Sequence, residues 1–367
     1  MYEKENMLQV KLHIVQIVRN WGQVGGMESY VWQLSHELAR QNYRVTIICE
    51  REHAKPEIQG IEVIELGQLL QKPRWVMYWR FANRVNEKIK YLGLTKDCVI
   101  HSHERSISHD ITTFHSIPFA TIKEKSWLKR LSIRVWVYLK MENRELGGLP
   151  NQSVSIVPVS WRIAVAIQKY YPHVTKSIER PIFPGVARLP LRPARCIPKD
   201  GGTIGFFGTE WNRKGFALFI KIAEQLRILR PNLKVMVLGA QKSEVVNLCD
   251  GYGGDITFLG WQPSTNFYKE LDLLIHPASS EAYGMVIAEA MACRVPVVLS
   301  ENCGAAEDVS INNGSVLSLK MALSGWVGEC SRWLSCDYEL SGFERPWNEV
   351  ATKYISKYDE IRLKKLR

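Results

Sequence analysis

A chain of 367 residues exceeds one typical domain and suits two. Apolar residues make up 46% of it, enough for a core in each half, which excludes a disordered or low-complexity protein. The net charge of +11 points to an anionic partner (nucleic acid, anionic lipid or phosphorylated substrate) and alone does not choose among them or exclude simple solubility charge. None of the eight cysteines has CxxC or zinc-ligand spacing, which fits reduced cytoplasmic thiols. Residues 1–10 lack a signal-type apolar core. No apolar run approaches the roughly 18 residues of a spanning helix.

Residues 11–18 form a short β-branched apolar run, the pattern of a buried strand. A glycine-containing loop, 20–26, follows. A helix begins near Glu28, with Val31, Leu34 and Leu38 on one face. Further strands are predicted at 43–49, 60–65, 97–102, 110–115 and 154–159. Between 181 and 198 lie Pro181, Pro184, Pro190, Pro193 and Pro198, a density that no helix or central strand tolerates. This stretch is predicted to link two domains. Alternation then restarts, with strands at 202–207, 234–239, 255–259, 273–276 and 295–299 and helices at 216–229 and 284–293. The segment 347–367 is helical in pattern, with Tyr354 and Tyr358 one turn apart. Strand and helix alternating twice over predict an α/β protein of two doubly wound parallel sheets.

Ligands of such sheets bind beyond the carboxyl ends of the strands. Three motifs lie there. Gly25-Gly26-Met27-Glu28 opens the first helix, where bare backbone and free N–H groups suit an anion. A tight turn explains it equally well, and it is not the GxGxxG of a dinucleotide site. Arg213 and Lys214 lie in the loop after 202–207. Together they can hold a diphosphate and stabilise charge on a leaving phosphate, or they can be a solvated basic turn. Glu281 and Glu289 are eight apart. Glu289 stands in an otherwise apolar helix and needs a partner, either a ribose diol or an internal salt bridge.

The order GGxE, RKG, then HPASSEAYGMVIAE resembles retaining GT-B glycosyltransferases of family 4, nearest the lipopolysaccharide core glucosyltransferase branch. The resemblance runs over nearly the whole chain. It implies two Rossmann-like doubly wound domains facing a central cleft. These are an acceptor-side domain at 1–185, a nucleotide-sugar-binding domain at 186–345, and a closing helix at 346–367 that returns to the first domain. It further implies retaining transfer of a hexose from a nucleotide-sugar, a UDP-sugar on subfamily grounds, to a glycan or glycolipid acceptor in cell-surface polysaccharide synthesis. No cofactor and no metal are implied, and no nucleic acid.

In this reading Gly25 and Gly26 pack against the donor, and Arg213 and Lys214 neutralise its diphosphate. Glu281 contacts sugar hydroxyls beside backbone groups of Tyr283, Gly284 and Met285, and Glu289 holds the ribose. His115, Glu281 and Lys214 form the catalytic set. His115 approaches the transferred sugar or is a structural histidine, the reading also given to His101 and His103. The alternative activity on the same fold is sugar-nucleotide 2-epimerisation.

Residues 123–140 are basic and rich in Trp and Leu. On a helical wheel Trp127, Leu128, Leu131, Val135, Tyr138 and Leu139 share a face, with Lys129 and Lys140 opposite and Ile133 and Trp136 off pattern. An interfacial helix touching anionic membrane through Lys125, Trp127, Lys129 and Arg130 is one reading. An ordinary packed helix is the other. The interfacial reading places the protein at the inner face of the cytoplasmic membrane.

Overall fold

A computed structural model describes residues 12–69, 71–94, 98–124, 131–147, 153–249, 251–335 and 342–366. The chain forms two compact units. Unit 1 comprises Met1–Gly185 and Trp347–Arg367, and unit 2 comprises Val186–Pro346.

In unit 1 the strands are β1 (His13–Ile17), β2 (Arg44–Cys49), β3 (Ile61–Glu65), β4 (Cys98–Ser102), β5 (Ile111–Phe114) and β6 (Ser155–Pro158). They lie in the order β3-β2-β1-β4-β5-β6, all parallel. Helices on a parallel sheet cover both faces, so its strands read as continuous apolar runs. Ile14, Val15, Ile17, Ile47, Ile48 and Val99 are accordingly inaccessible. The helices are α1 (Gly26–Arg40), α2 (Arg74–Tyr91), α3 (Ile133–Glu145), α4 (Trp161–Tyr170) and, after unit 2, α10 (Trp347–Lys365). Helix α10 packs on α1 and β4. Its Tyr354 and Tyr358 are fully buried, and Lys365 Nζ donates to Asp110 Oδ2 at 2.6 Å.

Unit 2 repeats the plan with β7 (Gly201–Phe207), β8 (Asn232–Leu238), β9 (Ile256–Phe258), β10 (Leu273–His276), β11 (Val297–Ser300) and β12 (Gly314–Leu317). The order is β9-β8-β7-β10-β11-β12, again parallel. Its helices are α5 (Trp211–Lys214), α6 (Phe216–Leu229), α7 (Thr265–Glu270), α8 (Met285–Ala292) and α9 (Leu323–Ser335). Phe206, Phe216, Phe219, Trp326 and Trp333 form the centre of its core. The chain is thus two Rossmann-like parallel-sheet domains.

Two expectations change. The proline-rich stretch is not a free link along its length. From Val186 on it belongs to unit 2, where Arg192 Nη2 donates to Asp272 Oδ1 at 2.6 Å and Arg195 Nε to the same oxygen at 2.9 Å. The helix drawn over 123–140 begins later than expected, while its phase within the described residues holds, with Val135 buried, Tyr138 and Leu139 half-buried and Lys140 exposed. Helix α3 starts only at Ile133 and buries Val135, Val137 and Met141, while Ile133 and Trp136 are 73% and 59% exposed. Leu131, placed on the apolar face with Val135, precedes the helix and is 71% exposed. Lys125, Trp127, Lys129 and Arg130 lie outside the described residues. Among the described residues no helix is long and apolar enough to cross a membrane.

Candidate functional site

In each sheet the order reverses beside the first strand, and the switch point opens at the carboxyl ends of two adjacent strands. In unit 2 these are β7 and β10. The loops that follow, 208–215 and 277–284, carry Arg213, Lys214 and Glu281. They are stitched together by one backbone and one side-chain hydrogen bond. Ser279 N donates to Arg213 O at 2.8 Å, and Arg213 Nη1 donates to Ser280 O at 2.6 Å. The approach requires Gly215, the left-handed C-cap of α5 at φ 79°. A Cβ there would lie 2.0 Å from Pro277 O.

The structure brings three of the expected residues onto one oxygen. Glu281 Oε2 accepts from Arg213 Nη1 at 3.1 Å and stands 3.8 Å from Lys214 Nζ. His276 Nε2 lies 3.7 Å away, beyond hydrogen-bond reach, on a fully buried ring. Burial opposes ionisation of Glu281, but His276, Lys214 and Arg213 outweigh it and hold the carboxyl down at about 2. Arg213 also donates to Glu210 through Nε at 3.0 Å. The pair of cations is therefore preset by carboxylates rather than solvated as a loose basic turn. This is an arrangement that an incoming diphosphate can enter by exchanging one set of oxygens for another.

Glu289 lies on α8, half-buried. Its partner is neither a salt bridge nor solvent alone, since Tyr268 OH donates to Oε2 at 2.7 Å. Burial raises its pKa to about 7, against the opposing effects of Tyr268 and Lys214. Gly284 caps α8 at φ 99°, and Met285 opens the helix, so free N–H groups gather beside Glu281. The loop is braced from β11's far end, with Glu281 N donating to Asn302 O at 3.0 Å and Ala305 N to Tyr283 O at 2.8 Å.

Tyr283 has a side-chain role that the sequence did not suggest. Its hydroxyl donates to Asp308 Oδ2 at 2.7 Å and accepts from Arg345 Nη1 at 2.8 Å, while Arg345 Nη2 pairs with Asp308 Oδ1. Nothing in the spacing of 283, 308 and 345 could have grouped them.

In unit 1 the switch point lies between β1 and β4. Gly25 is the extended N-cap of α1, and the Glu28 carboxylate folds so closely over it that a Cβ would sit 2.5 Å from Oε2. Around Gly26 there is open space. His115 follows β5 directly. Its Nε2 lies 2.9 Å from Nδ1 of His103, and the edge of Tyr30 packs on its ring at 4.8 Å. Burial lowers its pKa to about 3, so it is neutral. His101 and His103 are buried and hydrogen-bonded, and His103 is tied to His115 itself.

Two family descriptions cover most of the chain. That of the glycosyltransferase family 4 matches residues 24–178, in unit 1. That of the glycosyl transferases group 1 matches residues 190–323, in unit 2. Among curated proteins, D-inositol 3-phosphate glycosyltransferase of Mycobacterium leprae is 32% identical over 123 residues, 30% of this chain and 28% of that protein. Lipopolysaccharide 1,2-N-acetylglucosaminetransferase of Salmonella typhimurium is 33% identical over 180 residues, 45% of this chain and 47% of that protein. The matches thus span about half the length of these relatives or less. Among solved structures, WaaG, a glycosyltransferase involved in lipopolysaccharide biosynthesis, superposes with TM-score 0.74 at 17% identity, covering 96% of this chain and 98% of that one. Anabaena Alr3699/HepE in complex with UDP and glucose gives TM-score 0.62 at 15% identity, covering 96% and 98%. With both sheets of the Rossmann order and both halves matched in turn, the chain belongs to the GT-B glycosyltransferases.

Proposed function

We propose that the protein is a retaining hexosyltransferase that moves a hexose from a UDP-sugar to a glycan or glycolipid acceptor in cell-surface polysaccharide synthesis. One observation carries the reading: Arg213, Lys214 and Glu281 converge at the switch point of unit 2. In this mechanism the diphosphate takes the place of carboxylate oxygens on Arg213 and Lys214, which offset its growing charge as the glycosidic bond breaks. Glu281, released from part of that pairing and kept ionised, accepts hydrogen bonds from sugar hydroxyls. Glu289 receives the ribose diol. The N–H groups at Gly284 and Met285 add positive potential. The departing phosphate takes the acceptor's proton, so neither a carboxylate nucleophile nor a metal ion has a part. Unit 1 supplies the acceptor side, with His115 and the Gly25-Gly26 turn.

The similarity to a lipopolysaccharide N-acetylglucosaminetransferase supports an envelope glycan as acceptor. The exposed face of α3 supports delivery from an anionic membrane. The exposed Leu131, just before α3, and Ile133, Trp136 and Lys140 on it join Lys125, Trp127, Lys129 and Arg130 as the proposed contact residues, and the proposed site of action is the inner face of the cytoplasmic membrane.

The test is a thermal-shift panel of UDP-, GDP- and ADP-sugars, followed by transfer to an envelope glycan acceptor with chelator present. A UDP-sugar should shift the melt, and the product should keep the donor's anomeric configuration. A shift with GDP-mannose alone overturns the donor assignment. Epimerised donor formed without acceptor overturns transfer altogether.

A further inference from the structure

Behind His115 runs a line of hydrogen bonds through the buried middle of unit 1. His103 Nε2 lies 2.7 Å from Gln16 Oε1, and Gln16 Nε2 donates to Tyr358 OH at 3.3 Å. Tyr358 OH is 2.7 Å from His101 Nδ1, and His101 Nε2 is 2.7 Å from Thr113 Oγ1. Thr113 Oγ1 is 2.7 Å from Tyr354 OH, which is 2.7 Å from Tyr30 OH. Eight groups from β1, β4, β5, α1 and α10 are joined, and Tyr30 returns to press its ring on His115.

The donor count sets the direction. Gln16 uses its amide nitrogen on Tyr358 and turns its oxygen to His103, so His103 must carry its proton on Nε2. Burial, with the neighbouring His101 and His115, lowers the His103 pKa well below its usual value, so this imidazole is neutral and its Nδ1 can only accept. His115 must then donate from Nε2. Being neutral too, it has no proton left for Nδ1. That nitrogen makes no hydrogen bond among the described residues, and it is not among their buried unpaired atoms. Reversing the assignment requires the Gln16 amide and every hydroxyl along the line to turn together.

We propose that Gln16, His103 and Tyr358 are positioning residues that lock His115 as the Nε2–H tautomer and present its Nδ1 to substrate as a bare hydrogen-bond acceptor. The substrate-facing role rests on the function proposed above. It adds a selection rule. The group opposite His115 must bring a hydrogen, as a sugar hydroxyl does, and a carboxylate there meets lone pair with lone pair. Helix α10 takes part in this setting through a hydroxyl remote from the ligand.

The test uses the full chain labelled with 15N-histidine and no ligand. The nitrogen spectrum should show His115 protonated at Nε2 in a single tautomer. Tyr358→Phe removes one oxygen and keeps the ring, freeing the Gln16 amide to turn. The loss of that one hydrogen bond should move the tautomer ratio by about fivefold while circular dichroism stays unchanged. Protonation at Nδ1 in the parent chain overturns the proposal, as does a ratio unmoved by Tyr358→Phe. A variant that loses its fold is replaced by Gln16→Asn, which withdraws the amide oxygen from His103 and should also mix the tautomers. A correct tautomer in a chain that transfers no sugar overturns the substrate-facing role together with the proposed function and leaves the tautomer assignment standing.

Discussion

Glu281 and Glu289 are carboxylates eight residues apart whose surroundings push them in opposite directions. Glu281 is held at about 2 and Glu289 is raised to about 7. A depressed carboxyl adds stability above its unfolded value of 4.5 and loses it as pH falls toward the folded value. Glu281→Gln should therefore lower stability by about 1–3 kcal/mol near pH 7, because it leaves two cations without a charge-assisted acceptor. The deficit should hold steady down to about pH 5 and shrink below 4.5, read as parallel melting curves of both proteins. A deficit that does not shrink would mean that packing, not charge, is what Glu281 supplies. The sequence disclosed these residues by position after a strand. It did not disclose that Glu281's first partners are Arg213 and Lys214, because that pairing depends on two loops 68 residues apart touching. Tyr268, the partner of Glu289, was hidden for the same reason.

At the scale of elements, the sheets were legible and some helices were not. Parallel strands bury both faces, so their apolar runs stand out even in isolation. Helices α2, α4, α7 and α9, the short α5 read as a loop, and the edge strand β12, Gly-Ser-Val-Leu, were missed. The strand has only two apolar residues and is partly exposed. The buried carboxylate of α3 was hidden as well. Glu142 is completely buried because its carboxylate accepts from Phe119 N at 2.7 Å, Ala120 N at 3.0 Å and Tyr171 OH at 2.7 Å. All three partners lie at least 22 residues away in sequence, so nothing near Glu142 announces them. The junction between α5 and α6 makes a further prediction, about a glycine that the motif contained and whose need only the structure shows. Gly215→Ala forces a side chain into left-handed backbone and against a carbonyl oxygen that cannot move away. It should cost roughly 2–4 kcal/mol and abolish the nucleotide-sugar thermal shift, since the two loops can no longer meet. An alanine variant that melts normally and still binds would show that the close approach is dispensable.

Over the whole molecule the charge is distributed unevenly. Unit 2 has 16 Lys and Arg against 17 Asp and Glu, which leaves 32 against 20 in unit 1. The entire surplus of +11 thus belongs to the unit assigned to the acceptor. General solubility charge would have no reason to divide this way. On α3 the division repeats at smaller scale, with Glu142 and Glu145 buried and Arg134, Ile133, Trp136 and Lys140 exposed. Lys140 Nζ lies 4.8 Å above the Trp136 ring, so charge and aromatic surface are offered together. That combination suits the interface of an anionic bilayer, where each Lys or Arg contributes about 1 kcal/mol. Reversing Lys140 to Glu should weaken binding to phosphatidylglycerol vesicles by at least about fivefold at physiological salt. Trp136→Ser should weaken it further, and neither change should affect neutral vesicles. Both residues lie outside unit 2, so the thermal shift with nucleotide-sugar should survive in each variant. If vesicle binding is unchanged in both, the surplus serves a phosphorylated acceptor held inside unit 1, and the outer face of α3 has no part in it.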